Sequence, residues 1–539
     1  MLSTDEEDNS PLIHRAEGSN HDTNHSVRNS LSFVRDWAGC IVATFLIIMG
    51  ITCIIVISVY KAKVKDEYGI VLDAGSTHTN MFVYKWTVND VVKGTAVVKE
   101  IGECVVKDKD NEVAGISSYV SNPDEAGQSL QSCITSTAEK LIPSYLRNRS
   151  PIYLGATAGM RLLKEMDAAA ASKILASVRK SLKSSPFMFK DDYARIISGE
   201  EEGLSSWITV NYLNGAFNNS QENSVRGSSQ IIPLTVGALD MGGASTQITF
   251  TSPKAAQPSS KLKLYGTEYQ LYTHSYLCYG KKEAEDRFYA QLVKESHSST
   301  KVDNPCGPKG YRQNITLTSL WASPCVKGNT SNRITVTLVG TGNHTLCSKE
   351  VSKLFNFTSC GGNSSCSFDG VYQPTIDGKE FFAFSGYNTV IKDLNLTSNA
   401  SLDQLQAATK NICEKSWDEI KTIPTKFPYF LPFYCFDAQY VFTILSRGYH
   451  FQNSTANLQF NGTVNGLSLG WALGFMINAT NLLPIEKPVP VSIHVMQSGV
   501  FLVVVIVGSL LVSSGILICL LSAGKIYRQR NLNVQGLVL

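Results

Sequence analysis

The stretch that decides the fold is Tyr68–Trp86, YGIVLDAGSTHTNMFVYKW. Its two β-rich halves flank a Gly-Ser-Thr turn, which predicts two strands joined by a tight loop. A similar phrase, GALDMGGASTQITF, returns at Gly237–Phe250 with the same Leu-Asp-x-Gly core. One such phrase alone is typical of a turn with a capping aspartate. Two related phrases a domain apart predict two similar lobes that face each other across a cleft.

The residue types in these two loops indicate phosphate and metal chemistry. Glycines after a strand let backbone N–H groups approach an anion closely, and neighbouring hydroxyls add further donors. Asp73 and Asp240 lie at the end of the first predicted strand of each phrase. Their carboxylates would repel phosphate but can hold a divalent cation through water, because Mg²⁺ and Ca²⁺ prefer hard oxygen ligands. The loops therefore predict a metal–nucleotide site shared between the lobes.

Two further phrases lie between these loops. IYLGATAGMR, at 152–161, runs from a strand into an amphipathic helix, and its Thr157 can serve as the N-cap. ISGEEEG, at 197–203, also begins a helix, where Ser198 and Glu201 have capping-box spacing and the acids suit the helix dipole. Capping leaves Glu202 unexplained, so this carboxylate is a candidate general base.

Two apolar runs predict transmembrane helices. Trp37–Tyr60 and Val495–Gly524 carry no charge, and each is long enough to cross a bilayer, which takes about 20 residues. A cleaved signal peptide is the alternative for the first run, although the run exceeds the usual apolar region of about 7–15 residues. Basic residues follow the second run and place the C-terminal tail inside. The predicted division is 1–36 cytosolic tail, 37–60 membrane helix, 61–197 first lobe, 198–462 second lobe, 463–494 return to the first lobe, 495–524 membrane helix and 525–539 cytosolic tail.

The cysteines and glycosylation sequons support this topology. Of 13 cysteines, Cys40, Cys53 and Cys519 lie in the apolar runs and ten lie between them. Ten cysteines in an oxidising compartment suggest five disulfides, whereas the irregular spacing disfavours a metal site. The predicted glycan acceptors all lie between the spans: Asn148, Asn218, Asn314, Asn329, Asn343, Asn356, Asn363, Asn395, Asn399, Asn453, Asn461 and Asn478.

The composition excludes several other classes of protein. The 539 residues carry a net charge of +3, with 43% hydrophobic and 17% charged residues. This balance excludes a disordered chain and provides no basic surface for nucleic acid.

Two membrane helices would permit homo-oligomers through helix–helix contacts, although neither run contains Gly-x-x-x-Gly.

Five motifs in order carry a family resemblance. DAGST, GATAGMR, ISGEEEG, LDMGGASTQ and GWALG at 470–474 resemble the apyrase conserved regions of the ecto-nucleoside triphosphate diphosphohydrolases, or membrane apyrases, of the cell-surface type with two transmembrane helices. The resemblance covers essentially the whole segment between the apolar runs. It implies an α/β fold of two RNase H-like lobes, as in the actin, sugar-kinase and heat-shock-chaperone ATPase superfamily. It also implies hydrolysis of ATP, ADP, UTP and UDP to the monophosphates outside the cell.

The resemblance also assigns roles to individual residues. Glu202 would be the catalytic base, and Ser245 and Gln247 would position the attacking water. The implied holders of a Ca²⁺ or Mg²⁺ ion, through its waters, are Asp73, Asp240, Thr157 and Trp471. The implied phosphate-binding residues are Ser76, Thr77, His78, Ala158, Gly242, Gly243 and Ala244. The implied disulfides are Cys104–Cys133, Cys278–Cys325, Cys306–Cys347, Cys360–Cys366 and Cys413–Cys435.

One departure concerns the nucleobase. The family often has an arginine that stacks on the base shortly before its last cysteine, but this chain reads FLPFYC at 430–435. Base recognition is therefore expected to be altered. Tyr387 resembles the opposite wall of the base slot, although an aromatic residue on a strand is more often part of the core.

Several alternatives remain at this stage. One alternative is a nucleoside diphosphatase of the same family that resides in endolysosomal or Golgi membranes. Asp8, Leu12 and Ile13 resemble an acidic dileucine sorting signal, which favours this alternative. Residence in the plasma membrane is the default expectation. A glycoprotein receptor that kept the fold and lost turnover is another alternative, which an intact Glu202 and Ser245 argue against. A sugar kinase or chaperone ATPase fits poorly with five disulfides.

Overall fold

The computed structural model describes residues 38–52, 66–87, 97–110, 112–217, 234–252, 259–296, 300–326, 335–360, 365–452, 457–480 and 499–535. The chain forms two compact units. One consists of Lys65–Glu486, and the other combines Met1–Val64 with Lys487–Leu539.

The large unit contains sixteen described strands and most of the helices. The strands are β1 Asp66–Ala74, β2 Thr79–Thr87, β3 Lys99–Val105, β4 Ile152–Ala156, β5 Ala194–Ile196, β6 Gly237–Met241, β7 Ser245–Thr251, β8 Ser259–Leu264, β9 Thr267–Leu277, β10 Lys301–Asn304, β11 Arg312–Thr316, β12 Thr335–Gly340, β13 Glu380–Ser385, β14 Asn457–Phe460, β15 Thr463–Val464 and β16 Leu467–Ser468. The α-helices among the described residues of the whole chain are α1 Ala38–Thr52, α2 Pro123–Cys133, α3 Glu139–Leu141, α4 Ala158–Met166, α5 Ala168–Lys183, α6 Gly199–Leu213, α7 Lys281–Glu295, α8 Leu317–Leu320, α9 His344–Ser352, α10 Gly386–Asp393, α11 Leu402–Glu414, α12 Trp417–Ile420, α13 Tyr434–Thr443, α14 Trp471–Thr480 and α15 Gly499–Gln535.

The first sheet is built around β1. Its strand order is β3-β2-β1-β4-β5. Strand β1 pairs antiparallel with β2 and parallel with β4. Ile70, Val71 and Leu72 are fully buried, as expected for a central strand covered on both faces. The predicted hairpin at Tyr68–Trp86 is therefore confirmed.

The second sheet repeats this arrangement. Its order is β14-β13-β6-β7-β9-β8, so the strands β9-β7-β6-β13-β14 match the five strands of the first sheet in order. Strand β6 pairs antiparallel with β7 and parallel with β13, as β1 does with β2 and β4. The two related phrases thus form the central hairpin of each sheet, and the predicted internal similarity is confirmed at the level of topology.

Helix α14 joins the first sheet to helix α6. A Cβ placed on Gly69 of β1 would lie 2.6 Å from the Met476 Cε of α14. On the other side of α14, the Gly474 N–H donates to the Thr209 Oγ1 of α6 at 2.8 Å. Helix α14 lies within the segment 463–494 that was predicted to return to the first lobe, and it contacts β1 of that lobe.

Disulfide bonds cross-link segments of the large unit. Four of the five implied pairs are present: Cys104–Cys133, Cys278–Cys325, Cys306–Cys347 and Cys413–Cys435. Cys366 is also disulfide-bonded, but the side chain of its implied partner, Cys360, lies outside the described residues. Two additional sheets, β10-β12-β11 and β15-β16, complete the described strands.

The small unit contains the apolar helices. Within α15, Ile506–Arg528 is long and apolar enough to cross a membrane. This helix continues to Gln535, eleven residues beyond the predicted end of the span at Gly524. Helix α1 is apolar but shorter, and the rest of the predicted first span, 53–60, lies outside the described residues. The two-span topology therefore stays a prediction.

Eight of the twelve predicted glycosylation sites lie among the described residues. The eight described sequon asparagines, Asn148, Asn314, Asn343, Asn356, Asn395, Asn399, Asn461 and Asn478, are all exposed or partly exposed. Asn218, Asn329, Asn363 and Asn453 lie outside the described residues, as do Asp8, Leu12, Ile13 and Cys53. Cys40 and Cys519 are free thiols.

The contact between α6 and α14 predicts a sensitive position at Gly474. A Cβ there would lie 1.8 Å from the Ser205 carbonyl oxygen, which forces two backbones apart. We expect Gly474→Ala to lower the free energy of unfolding by about 3 kcal/mol, the upper end for overpacking, measured by urea denaturation. Gly470→Ala is the matched control, because its Cβ would meet no atom within 4 Å. Equal stability of the two variants would contradict this packing.

Candidate active site

Both hairpin loops open into one cavity of about 1000 Å³. Most of the residues singled out from the sequence line it: Asp73, Ser76, Thr77, His78, Thr157, Ala158, Glu202, Asp240, Gly242, Gly243, Ala244, Ser245 and Trp471. Segments that are far apart in the chain therefore meet at the same edge of the two sheets. This is where ligands of α/β sheets bind, beyond the carboxyl ends of parallel strands.

The two glycine loops face each other at contact distance. A Cβ on Gly243 would lie 2.5 Å from Ser76 Oγ and 3.1 Å from Thr77 Cγ2. Only a glycine permits this approach between the loop after β1 and the loop after β6. An anion between the loops would therefore meet donors from both lobes at once.

The start of helix α7 supports the second loop. The backbone N–H groups of Lys281 and Lys282 donate to the carbonyls of Gly242 and Gly243, each at 2.9 Å. The Gly242 N–H closes the hairpin by donating to Ser245 O at 2.9 Å. Gly242 is thus not a phosphate donor, and that expectation is wrong. Within the described part of the chain, the N–H groups of Gly243 and Ala244 make no hydrogen bond, so they are the ones that can bind phosphate.

Three carboxylates share the cavity without enough positive charge to balance them. Burial and the neighbouring Glu202 raise the pKa of Asp73 to about 8. Burial raises the pKa of Glu202 to about 7 and also raises the pKa of Asp240. The Trp471 indole faces Asp73 and lowers its pKa, although the Trp471 N–H makes no well-aligned hydrogen bond. This excess of buried negative oxygen is the donor set that a divalent cation requires.

Arg161 connects the catalytic candidates. One of its guanidinium nitrogens lies 2.9 Å from Glu202 Oε2 and 2.9 Å from Ser245 Oγ. The Gln247 amide donates to Ser245 Oγ at 2.6 Å and lies 3.3 Å from Glu202 Oε2. Glu202 is only 6% exposed, so this network fixes its carboxylate in one orientation. The spare acid of the ISGEEEG phrase does point into the cavity.

One acceptor in this network is unused. Gln247 Oε1 is buried and has no hydrogen-bond partner in the described part of the chain. Ser245 and Gln247 are two residues apart on β7, so their side chains share a face of the sheet. Gln247 is itself buried and does not line the cavity, so it reaches the site through its contacts with Ser245 and Glu202.

The helix starts differ from the capping expectations. Thr157 occupies the N-cap position of α4, but its hydroxyl makes no capping bond and is buried against the cavity. Ser198 does cap α6 by accepting from the Glu201 N–H at 3.1 Å. The Glu201 side chain binds Arg195 at 2.7 Å and does not return to the cap, so the predicted capping box is only half formed.

Tyr387 is not a wall of the cavity, and its predicted contact with a nucleobase is wrong. Its side chain is 0% exposed. Its hydroxyl lies 2.9 Å from Thr246 Oγ1, beneath the second loop. A ring enclosed in the core has no free face for stacking.

The far wall of the cavity contains residues that the sequence did not reveal. Phe430 and Phe433 line it, and the Lys281 ammonium lies 5.3 Å from the Phe430 ring centre. Lys281 also pairs with the buried Asp437 at 2.9 Å. These residues come from α7 and from the segment leading into α13, so no local motif unites them. Phe430 belongs to the stretch 430–435, for which the sequence predicted altered base recognition.

The fold defines a class: α/β proteins with two sheets, each built around a similar Asp-Gly hairpin. Residues 59–492 match the model of the GDA1/CD39 (nucleoside phosphatase) family, and the chain belongs to that family.

Similar proteins support this family assignment. The chain is 40% identical over 474 residues to ectonucleoside triphosphate diphosphohydrolase 8 of Gallus gallus, covering 84% of this chain and 92% of that protein. It is 37% identical over 462 residues to ectonucleoside triphosphate diphosphohydrolase 3 of Homo sapiens, covering 83% and 85%. Among solved structures, a nucleoside triphosphate hydrolase from Neospora caninum aligns with a TM-score of 0.55 at 16% identity, over 77% of this chain and 93% of that one. The latter likeness shows the shared fold.

The contact between the loops predicts the effect of a single methyl group. Gly243→Ala places a Cβ 2.5 Å from Ser76 Oγ and must separate the two loops. We expect the affinity for a non-hydrolysable ATP analogue to fall at least about tenfold, because displaced donors lose their hydrogen bonds to phosphate. Calorimetry on the purified chain measures this change. Gly242→Ala is the comparison, since its Cβ would make an ordinary 3.5 Å contact; an equal or larger loss in Gly242→Ala would contradict this geometry.

Proposed function

We propose that this protein is an apyrase, a nucleoside triphosphate diphosphohydrolase that removes the terminal phosphates of nucleoside tri- and diphosphates and leaves the monophosphate. Membership of a nucleoside phosphatase family and relatives named ectonucleoside triphosphate diphosphohydrolases support this proposal. The observation that carries it is the position of Glu202, whose carboxylate accepts from the Gln247 amide N–H at 3.3 Å, in the cavity onto which both glycine loops open.

A divalent cation, Ca²⁺ or Mg²⁺, fits this site. Asp240, which is buried, and Asp73, which is partly buried, supply carboxylate oxygens from the two loops, and Thr157 and Trp471 line the same cavity. When bound, the cation neutralises phosphate charge and orients the substrate. The carboxylates of the two lobes would hold the waters of the cation, and their mutual repulsion would fall on binding.

The protein's own residues account for the hydrolytic step. The terminal phosphate lies between the loops, where the N–H groups of Gly243 and Ala244 and the Ser76 hydroxyl donate to its oxygens. Ser245 and Gln247 orient a water in line with the bond to be broken. Glu202 accepts a proton as the water oxygen bonds to phosphorus. The bond to the bridging oxygen breaks, and inorganic phosphate leaves the shortened nucleotide behind.

The base would lie at the far wall. Phe430 and Phe433 offer aromatic faces there, and stacking on such faces tolerates any base. This wall replaces Tyr387 as the proposed contact. Because stacking does not read hydrogen-bonding edges, we propose activity on both purine and pyrimidine nucleotides.

The topology is also a proposal. Ile506–Arg528 fits a membrane span, and Trp37–Tyr60 would form the second, with the catalytic unit outside the cell. We propose residence in the plasma membrane, with Asp8, Leu12 and Ile13 as a sorting signal for endosomes, and homo-oligomers formed through the membrane helices. The presence of Glu202 and Ser245 together in the cavity favours an enzyme over a receptor.

The proposal is tested by phosphate release from ATP, ADP, UTP and UDP with Ca²⁺ or Mg²⁺, and again with EDTA. Glu202→Gln should lower kcat by about 10²–10⁴-fold, the usual contribution of a general base, and EDTA should abolish activity. The matched control is Glu201→Gln, because this neighbouring acid binds Arg195 and should leave kcat near the wild-type value. Full activity in Glu202→Gln, or activity indifferent to the cation, would exclude the mechanism.

The Arg161–Glu202 pair predicts the pH dependence. The Arg161 charge lowers the Glu202 pKa, against burial, which raises it. Removing that charge in Arg161→Met should raise the Glu202 pKa, so the base would be protonated over a wider range. We expect the acidic limb of kcat/KM to move up by about one pH unit, whereas Arg161→Lys, which keeps the charge, should shift it less. An unchanged acidic limb in Arg161→Met would show that this pair does not control the base.

A further inference from the structure

Asn314 is a predicted glycan acceptor that lies on the wall of the active-site cavity. Its sequon, Asn314-Ile315-Thr316, begins on strand β11, and both Asn314 and Thr316 line the cavity. The other seven sequon asparagines among the described residues do not line it. Asn314 is also exposed to solvent, and an exposed residue that lines a cavity lies at its rim.

Helix α7 connects this rim to the phosphate loops. Lys281, Glu285 and Tyr289 line the cavity at intervals of four residues, which places them on one face of the helix. The helix begins beside the second glycine loop, and its cavity-lining face extends for about 12 Å, at 1.5 Å per residue. In its last turn, the Lys294 ammonium lies 5.3 Å from the ring centre of Trp321, next to α8. Because α8 directly follows β11, β11 lies at the end of this wall that is remote from the loops.

The Asn314 side chain is held with its nitrogen available. Its Oδ1 accepts from Thr337 Oγ1 at 2.8 Å, across the antiparallel pair of β11 and β12. The amide nitrogen Nδ2, to which a glycan is attached, makes no hydrogen bond to any described residue. Among the described strands, β11 is at the edge of its sheet, so no further strand covers its outer side. A bulky group on Nδ2 therefore has space at the rim.

We propose that Asn314 is glycosylated and that its glycan narrows the mouth of the cavity, so that mononucleotides enter and the triphosphorylated ends of oligonucleotides do not. In this modification Asn314 Nδ2 bonds to C1 of a lipid-linked oligosaccharide, the amide loses a proton and the lipid diphosphate leaves. The inference rests on the proposed function and on the proposed topology, because only an exported catalytic unit receives such a glycan.

Steric exclusion suits this cavity because the reacting groups do not discriminate between these substrates. A 5′-triphosphorylated oligonucleotide carries the same phosphoanhydride bonds as ATP and the same base for the aromatic wall. In the proposed arrangement the phosphates occupy the loops and the base lies against Phe430 and Phe433. The next nucleotide, attached through the ribose 3′ oxygen, must then project through the mouth. A hydrated glycan at the rim competes for that space, and a clash with the wrong substrate is a common source of specificity.

The experiment compares kcat/KM for ATP with kcat/KM for a 5′-triphosphorylated dinucleotide, using the full chain from a host that glycosylates exported proteins. Thr316→Ala removes the sequon and keeps the hydrogen bond between Asn314 and Thr337, whereas Thr316→Ser keeps the sequon. Thr316→Ala should migrate faster on a gel than Thr316→Ser. Its kcat/KM for the dinucleotide should rise at least about tenfold, while its value for ATP stays near that of wild type. Asn148→Gln, which deletes a sequon outside the cavity, is the matched control and should lose a glycan without gaining dinucleotide hydrolysis.

Trimming the glycans of the folded wild-type protein with an endoglycosidase tests the same claim without a substitution, so the test does not depend on the folding of a variant. Trimming should raise dinucleotide hydrolysis in wild type and have no further effect on Thr316→Ala. Equal gel mobility of Thr316→Ala and Thr316→Ser would overturn the proposal, because Asn314 would then carry no glycan. An unchanged preference for ATP in Thr316→Ala or after trimming of wild type would also overturn it. A wild-type chain that releases no phosphate from ATP would instead refute the proposed function.

Discussion

Uncompensated negative charge at the bottom of one cavity is the constraint on which the rest of the structure depends. Asp73, Asp240 and Glu202 come from three separate segments, and burial raises the pKa of each. Burying such groups costs stability unless a cation or hydrogen bonds compensate. The duplicated sheets supply the backbone that holds the first two carboxylates in place, and α6 supplies the third.

The three acids are distinguished by their partners. Arg161 and Gln247 hold Glu202, which suits a base that must face a water. The Ser206 hydroxyl donates to Asp240, whereas the Trp471 indole lowers the pKa of Asp73. Different surroundings therefore suit these three similar side chains to the different roles proposed for them.

The sequence predicted those parts of this arrangement that are local. Short phrases with clear turn signals predicted the two Asp-Gly hairpins and the acid Glu202 at the start of a helix. The similarity of the two hairpin phrases predicted the duplication of the sheet. Arg161 stood in a quoted motif, but its role needed α4 and α6 to be side by side. The positive φ of Ser385, 54°, could not be predicted, since no local pattern in FFAFSGYN requires it. Tyr387 was misplaced because an aromatic residue after a strand can face either core or cavity, and only the packing decides.

The central claim is that Asp73 and Asp240 are destabilising until a divalent cation binds. Thermal unfolding of the wild-type chain and of Asp73→Asn, each in EDTA and in Ca²⁺ at pH 8.5, tests it most directly. Asp73→Asn should melt at a higher temperature than wild type in EDTA, because one charge is gone from the cavity, and Ca²⁺ should stabilise only the wild type. A wild-type Tm that ignores Ca²⁺, or an Asp73→Asn variant that responds to Ca²⁺ as wild type does, would contradict it.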